Sequence, residues 1–185
     1  MTKKIAILIG SLRKDSFTRK IAMELIKLAP SSLKMDVIEI GELPLYNQDK
    51  EEATPKEWVS FRQRVSEADG FLFATPEYNR SVPAPLKNAL DVGSRPYGKS
   101  VWEDKPGAVI SVSPGAIGGF GANQHIRQSL VFLNVPCLQQ PEAYISHVNN
   151  LLDDNGVLKD ESTIEFLKKF MTAFAAWVET NAKKG

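Results

Sequence analysis

The feature that most constrains the fold of this chain is a set of short, almost continuously apolar segments, each followed by a polar or glycine-rich loop. Three of these segments are Lys3–Ile9, Gly70–Ala74 and Ala108–Val112. Apolar residues at nearly every position are typical of a parallel strand that is covered on both faces. Two further strands are predicted at Lys34–Ile40, which is rich in β-branched residues, and at Val135–Gln139.

Segments with helical spacing of apolar residues alternate with the strands. The pattern that starts at Phe17 continues through Ile21 and Leu25 until Pro30 stops it. A second helix is expected to begin with Thr54 as its N-cap. Further helices are predicted over Pro85–Val92, over Ala122–Leu133 and along the apolar positions Ile164, Leu167, Met171, Phe174 and Val178. This alternation predicts an α/β fold built on a doubly wound parallel sheet of about five strands.

The balance of charges favours small molecules over macromolecules as partners. Lys and Arg total 23 against 22 for Asp and Glu, which gives a formal net charge of +1. A near-neutral chain has no general attraction for nucleic acid or for an anionic membrane. The length of 185 residues and the hydrophobic content of 43% predict a single domain over residues 1–185. The apolar run behind Lys3 and Lys4 is too short for a signal peptide, so we expect a cytoplasmic protein without membrane insertion.

The histidines and the single cysteine give no sign of a metal site or of a thiol nucleophile. His125 and His147 lack neighbouring Cys, His or Asp residues at ligand spacing, so no metal is expected. Cys137 lies in an apolar stretch, which favours a buried structural thiol over a reactive one.

The loop after the first strand is the strongest functional signal. Residues 10–19 read Gly-Ser-Leu-Arg-Lys-Asp-Ser-Phe-Thr-Arg and lead directly into the first helix. A strand that turns into a helix at a glycine presents unpaired backbone N–H groups and the positive end of the helix dipole. Ser11, Ser16 and Thr18 add hydroxyls, and Arg13 adds a guanidinium. The spacing matches neither the dinucleotide fingerprint nor the triphosphate-binding loop, so we predict a site for a terminal phosphate monoester.

Two more polar loops are predicted at the same edge of the sheet. Thr75–Pro83 follows the third strand, and Ser113–Gly121, with four glycines, follows the fourth. With the strand order 2-1-3-4-5, strands one and three are neighbours whose crossovers leave on opposite faces of the sheet. A crevice is therefore expected between the first loop and residues 76–81, and a ligand whose phosphate lies in the first loop would extend over the other two.

Three motifs carry a resemblance to a known family. They are Gly-Ser-Leu-Arg-Lys-x-Ser-Phe at 10–17, Thr-Pro-Glu-Tyr-Asn-x-Ser-Val-Pro at 75–83 and Leu-Lys-Asn-Ala-Leu-Asp at 86–91. The chain resembles the NAD(P)H-dependent FMN reductase family of flavodoxin-like proteins, which includes bacterial quinone, chromate and azo-dye reductases. The similarity continues through residues 127–134 and 140–144. It implies the flavodoxin-like strand order, non-covalent FMN, NADH or NADPH as electron donor, and a homodimer or a dimer of dimers.

The resemblance also implies roles for individual residues. The FMN phosphate would be held by Ser11, Arg13, Ser16, Phe17 and Thr18, where the family often has Asn in place of Thr18. The backbone of Pro76, Glu77, Tyr78 and Asn79 would line the pyrimidine side of the isoalloxazine. The ribityl side would be closed by Ser113, Gly115, Ala116, Ile117, Gly118 and Gly119. A cover from the partner subunit or a contact to substrate is a weaker expectation for Arg80, Arg95, Tyr97 and Trp102.

This chemistry explains why no protein nucleophile or general base is evident. In a flavoenzyme the reactive centre is N5 of the flavin, and the protein supplies binding, orientation and hydrogen bonds. The expected activity is two-electron transfer by a ping-pong route from NAD(P)H to quinones, or to chromate, azo dyes or free flavin.

Two alternative functions remain at this point. One is a flavodoxin-type carrier without its own nicotinamide turnover, although such carriers usually have an acidic docking face. The other is a hydrolase like the low-molecular-weight tyrosine phosphatases, which needs a cysteine close to the anion loop.

Overall fold

A five-stranded parallel sheet forms the centre of the computed structural model, which describes residues 2–182. The strands lie in the order β2-β1-β3-β4-β5. Their bounds are β1 Lys3–Ile9, β2 Leu33–Val37, β3 Gly70–Thr75, β4 Gly107–Val112 and β5 Ala143–Ile145. Every neighbouring pair is parallel. The doubly wound, flavodoxin-like fold predicted from the sequence is confirmed.

Helices cover both faces of the sheet because side chains point alternately to opposite faces along each strand. Ile5, Ile7 and Ile9 pack in one hydrophobic cluster with α1 and α6, whereas Ala6 and Leu8 pack in a second cluster with α2, α3 and α4. The helices are α1 Phe17–Leu28, α2 Lys56–Ser66, α3 Ala84–Gly93, α4 Phe120–Phe132, α5 Val148–Leu151 and α6 Glu161–Asn181. None of the helices between residues 2 and 182 is both long and apolar enough to cross a lipid bilayer.

The fifth strand is not where the sequence predicted it. Val135–Gln139 makes only a single bridge to β4, at Cys137 opposite Gly107, and the strand itself forms at Ala143–Ile145. Along β4, Gly107 and Ile110 are three residues apart, but their partners Cys137 and Ala143 are six apart. The extra residues leave the sheet as an irregular segment that contains the cis bond before Pro141. The apolar pattern at 135–139 therefore indicates residues that are buried, such as Val135 and Leu138, but it does not identify the stretch that pairs with β4 as a strand.

Two predicted boundaries also differ from the structure. β2 ends at Val37 rather than Ile40, although Ile38 and Ile40 remain buried in the core. The N-cap of α2 is Pro55, which makes no side-chain capping bond. The Thr54 hydroxyl instead donates to the carbonyl of Glu51 at 2.7 Å. Thr54 thus stabilises the preceding turn and not the helix.

The irregular connection between α3 and β4 is fixed by Trp102. This side chain is fully buried, so the expectation of a surface or cover residue was wrong. Its indole N–H donates to the Leu90 carbonyl at 3.0 Å, and its ring lies against Gly93 at the end of α3. Phe71 meets the same ring edge-on at 5.0 Å between centroids. The indole therefore holds the connection in the hydrophobic core on the face of the sheet that α3 covers.

Candidate functional site

The loop between β1 and α1 has the geometry of an anion cradle. The backbone N–H groups of residues 11–18 donate to no carbonyl or side chain of the described residues. Ser16 is the N-cap of α1, and its hydroxyl oxygen accepts from the backbone N–H of Arg19 at 3.1 Å. An α-helix of 12 residues thus presents its amino end and a run of unpaired donors at the carboxyl edge of the sheet.

The side chains of the cradle add further donors. Ser11 is 4% exposed and Thr18 is 2% exposed, yet neither hydroxyl has a hydrogen-bond partner among residues 2–182. Arg13 is exposed and makes no ion pair with a described residue, whereas the guanidinium of Arg19 lies 2.6 Å from a carboxylate oxygen of Glu39. Arg13 is therefore available for a ligand and Arg19 is not. Phe17, half-buried, packs against the core instead of facing the loop.

Close packing brings the first loop against the second. A Cβ atom on Gly10 would lie 2.9 Å from Cγ of Pro83 and 3.2 Å from Cδ of Pro76. The Gly10 N–H also donates to the carbonyl of Ala74 at 2.8 Å, next to the start of the second loop. The close contacts with Pro83 and Pro76 thus favour glycine at the end of β1.

The second loop contains a tight reverse turn. Tyr78 and Ser81 exchange two backbone hydrogen bonds of 3.1 and 3.0 Å. Asn79 and Arg80 between them both have positive φ values, 50° and 64°, as in a type I′ turn. The backbone N–H groups of Asn79 and Arg80 have no acceptor within the described chain, and the Tyr78 side chain is 44% exposed. The turn thus offers free N–H donors and an aromatic surface to a ligand.

The side chain of Glu77 does not point to open solvent. Its carboxylate accepts from the backbone N–H of Ala122 at 3.1 Å, in the first turn of α4, and from the Arg80 guanidinium at 3.3 Å. Ser81 makes a second connection to α4 through its hydroxyl, 2.9 Å from Nδ1 of His125. These contacts could not be predicted from the sequence, since nothing in the spacing of residues 77 and 122 indicates that they meet.

The third loop, at 113–121, packs closely against its neighbours through the backbone of its glycines. Gly118 and Gly119 have φ values of 60° and 75°, and the buried Ser111 hydroxyl donates to the Gly118 carbonyl at 2.7 Å. A Cβ on Gly118 would lie 2.9 Å from the Tyr144 backbone. Ser113 accepts from the Gly115 N–H at 3.0 Å, whereas Ala116 and Ile117 are exposed at the tip. All three predicted loops therefore follow strands β1, β3 and β4 at the carboxyl edge, as expected.

The residues that were expected to cover the site have different surroundings. The Arg80 side chain is 76% exposed beside Glu77. The Nε of Arg95 donates to Glu51 at 2.8 Å, and the guanidinium lies over the ring of Tyr46, so Arg95 is engaged within its own chain. Tyr97 is 88% exposed. A cover built from a partner subunit stays a prediction for Arg80 and Tyr97.

The described residues offer no centre for metal or thiol chemistry. No group of three His, Cys, Asp or Glu side chains between residues 2 and 182 could hold a metal ion. Burial raises the pKa of the Cys137 thiol despite the nearby Arg127. Cys137 pairs with Gly107 at the amino end of β4, opposite the edge that carries Arg13. A phosphatase mechanism, which needs cysteine and arginine in one loop, is thereby excluded.

The donor set fits FMN. A phosphate monoester matches the unpaired N–H groups, the two hydroxyls of Ser11 and Thr18 without protein partners among the described residues and one uncommitted guanidinium. The free backbone N–H groups of Asn79 and Arg80 add donors of the kind that a flavin ring needs. The sequence model of the family described as NADPH-dependent FMN reductase matches residues 3–150. The chain belongs to this family.

Relatives within the NADPH-dependent FMN reductase family cover nearly the whole chain. A quinone reductase of Pseudomonas putida is 59% identical over 178 residues, covering 96% of this chain and 95% of the relative. A 2-hydroxy-1,4-benzoquinone reductase of a Burkholderia species is 48% identical over 96% of this chain and 97% of its own length. The solved structure of FerB, a flavoenzyme NAD(P)H:(acceptor) oxidoreductase of Paracoccus denitrificans, superposes with a TM-score of 0.92 at 39% identity, covering 98% of this chain and all of FerB.

Proposed function

We propose that this chain is an FMN-dependent NAD(P)H:quinone oxidoreductase. The observation that carries the proposal is the cradle at residues 11–18, with its unpaired N–H groups. It lies where the adjacent strands β1 and β3 are followed by helices on opposite faces of the sheet. Membership of the NADPH-dependent FMN reductase family supports the cofactor and the donor. Quinone is favoured as acceptor because relatives at 59% and 48% identity are named as reductases of quinones.

The residues of the chain would bind and orient the cofactor and leave one face of its ring accessible. Arg13 and the hydroxyls of Ser11 and Thr18 would neutralise and hold the phosphate. The backbone of Pro76–Asn79 and of Ser113–Gly119 would contact the ring system and the ribityl chain. When bound, FMN supplies the redox chemistry, which takes a hydride from the nicotinamide and returns two electrons to the acceptor. The balanced reaction is NAD(P)H, a proton and a quinone giving NAD(P)⁺ and a hydroquinone.

Anaerobic stopped-flow kinetics test this function. Protein loaded with FMN should lose its yellow absorbance on mixing with NADH or NADPH, and regain it on mixing with a quinone. Steady-state plots at several quinone concentrations should give parallel lines, because one pocket serves both substrates in turn. A preparation that does not bind FMN would refute the proposal. Flavin that nicotinamide does not reduce would instead indicate a flavodoxin-type carrier.

The acceptor range is proposed to be broad. An open aromatic surface selects acceptors by shape and reduction potential, so chromate, azo dyes and free flavin are candidate acceptors besides quinones. The same stopped-flow experiment with each acceptor ranks them and compares NADH with NADPH.

We also propose a cytoplasmic location, because reduced nicotinamide is available there.

We further propose that the protein forms a homodimer or a dimer of dimers through the end of α4. Val131 and Phe132 are 80% and 88% exposed, which is unusual for large apolar side chains in adjacent positions. Phe132 lines a groove between α3 and α4 that reaches Ser81 in the second loop. A second copy seated there would adjoin the proposed FMN site.

A further inference from the structure

We propose that Glu77 is a positioning residue whose carboxylate fixes the turn at 78–81 against the amino end of α4. It would thereby set the relative position of the two loops that flank the isoalloxazine. The inference rests on the proposed function, because it assigns these loops to FMN. Glu77 would act through the backbone of the turn and not by touching the cofactor with its own side chain.

The α4 helix lacks a side-chain cap of its own. Its N-cap is Gly119, in a left-handed conformation and without a side-chain hydrogen bond, and its first turn contains no acidic residue. The unpaired N–H groups and the helix dipole at such an end favour a negative charge. Glu77 supplies this charge from 45 residues away in the sequence, at 3.1 Å from the Ala122 nitrogen.

The carboxylate of Glu77 is largely buried. The Glu77 side chain is only 9% exposed, so its carboxylate has lost most of its water and depends on the partners that the fold provides. Of these partners, Arg80 is 76% exposed at its side chain and lies at the longer distance of 3.3 Å. An exposed ion pair of this kind contributes little. The contact with the amino end of α4 is therefore the one that holds the turn.

The backbone of the turn at 78–81 approaches the backbone of α4 closely. A Cβ atom on Gly121 would lie 2.6 Å from the Arg80 carbonyl oxygen and 3.0 Å from Oε2 of Glu77. A glycine is thus needed at position 121 for the turn to reach α4. The Ser81 hydroxyl adds a contact with His125 one helical turn further on. These contacts join the second loop to the helix that follows the third loop.

A consequence for the flavin follows from this geometry. The backbone N–H groups of Asn79 and Arg80 have no acceptor within the described chain, and hydrogen bonds from such donors to a flavin ring tune its electronic properties. Release of the turn from α4 would disperse these donors. We therefore expect Glu77 to influence both the affinity for FMN and the reduction potential of the bound flavin.

The test compares Glu77→Ala, Glu77→Gln and the control Glu67→Ala, which removes an exposed glutamate at the carboxyl end of α2. The measurements are FMN titration, flavin potentiometry and hydrogen exchange of the apoprotein. For Glu77→Ala we expect the FMN dissociation constant to rise roughly 5- to 50-fold and the reduction potential to shift. Amide exchange should accelerate in residues 77–81 and 118–123. Glu77→Gln should lie between Glu77→Ala and the wild type, because it keeps an acceptor oxygen but loses the charge. Glu67→Ala should stay within about twofold of the wild type in FMN affinity, because Glu67 lies outside the three loops of the site.

Three results would overturn the inference. One is an unchanged dissociation constant and potential in Glu77→Ala. Another is weaker binding without faster exchange of the turn, since that would mean that Glu77 contacts the cofactor itself. The third is a lower melting temperature with normal affinity and potential, which indicates a merely structural role.

Gly121→Ala serves as a second variant should Glu77→Ala fail to fold. It keeps the carboxylate but should separate the turn from α4, so we expect the same loss of affinity and the same faster exchange. Failure of the wild-type protein to bind FMN would refute the proposed function alone. The exchange experiment on the apoprotein would then still decide whether Glu77 fixes the turn.

Discussion

At the scale of single residues, Arg13 and Arg19 show how similar side chains in one loop acquire different uses. Nη2 of Arg19 donates to both carboxylate oxygens of Glu39, at 2.8 and 2.6 Å, whereas Arg13 has no anionic partner in residues 2–182. An arginine already paired within the fold gives little to a ligand. The uncommitted Arg13 therefore remains the candidate for contact with the FMN phosphate.

Replacement of Arg13 by Ala is predicted to weaken FMN binding by about 1.5 to 3 kcal/mol, the usual contribution of a hydrogen bond to a charged group. The measurement is titration of apoprotein with FMN, followed by flavin fluorescence. Lys14→Ala is the matched control, because Lys14 is an exposed cation next to Arg13 that is not assigned to the site. Equal losses in the two variants would indicate general electrostatic attraction and would contradict a specific phosphate contact.

The types of residue in the site could be predicted from the sequence, but some of their roles could not. The hydroxyls and the free guanidinium of the first loop follow from local spacing, because strand, glycine and helix are consecutive there. The contacts of Glu77 with α4 and of Arg95 with Glu51 join positions about 45 residues apart. Such contacts depend on how the elements pack, which no local pattern encodes.

At the scale of elements, the hydrophobic pattern of the sequence predicts the central strands of the sheet correctly. It does not locate the edge strand β5. The central strands β1, β3 and β4 are buried on both faces, so their apolar runs are unambiguous. The edge segment at 135–145 contains an apolar stretch, 135–139, and the short strand β5. Only the register with β4 shows which of these two stretches pairs as a strand. Periodicity in a single segment cannot report that register.

The junction of α3 with Trp102 leads to a prediction on stability. A Cβ on Gly93 would lie 2.5 Å from three atoms of the buried indole. Gly93→Ala is therefore predicted to destabilise the protein by about 1 to 3 kcal/mol through overpacking, although alanine favours helices. Urea unfolding of the apoprotein measures the change. Gly115→Ala is the control, since its nearest neighbour outside the adjoining residues is Oγ of Ser113 at 3.4 Å; equal effects would contradict the packing argument.

The N-cap of α6 leads to a prediction on pH. Hydrogen bonds from Thr163 and Ser162 hold the pKa of the Asp160 carboxyl below its ordinary value. Its ionised form is thus favoured in the folded state, so the stabilisation is complete above the ordinary carboxyl pKa and is lost as the pH falls through the lowered value. Asp160→Ala should reduce stability in urea at neutral pH, and the difference from wild type should shrink in acid. Asp160→Asn should keep a capping oxygen but lose this pH dependence; a constant difference between wild type and Asp160→Ala would contradict the role of the charge.

At the scale of the whole molecule, the question is how the exposed end of α4 is covered. Burial of a large apolar side chain contributes roughly 1.5 to 3 kcal/mol, so Val131 and Phe132 represent a sizeable driving force when two copies meet. The groove beside Phe132 begins at Ser81, immediately after the turn that Glu77 is proposed to fix. In an assembly through this face, the second copy would thus also restrain the loop at 78–81.

We predict that Phe132→Asp converts the protein from a dimer or tetramer to a smaller species, measured by light scattering coupled to size exclusion. The physical reason is that a carboxylate at this position would be buried without a partner in the interface. Met23→Asp is the control, because Met23 is 42% exposed on α1, which packs on the other face of the sheet. A wild type that is monomeric at every concentration would contradict the proposed assembly. Dissociation by Met23→Asp instead of Phe132→Asp would move the interface to the α1 face, and the loop at 78–81 would then have to be ordered by Glu77 and His125 within one chain.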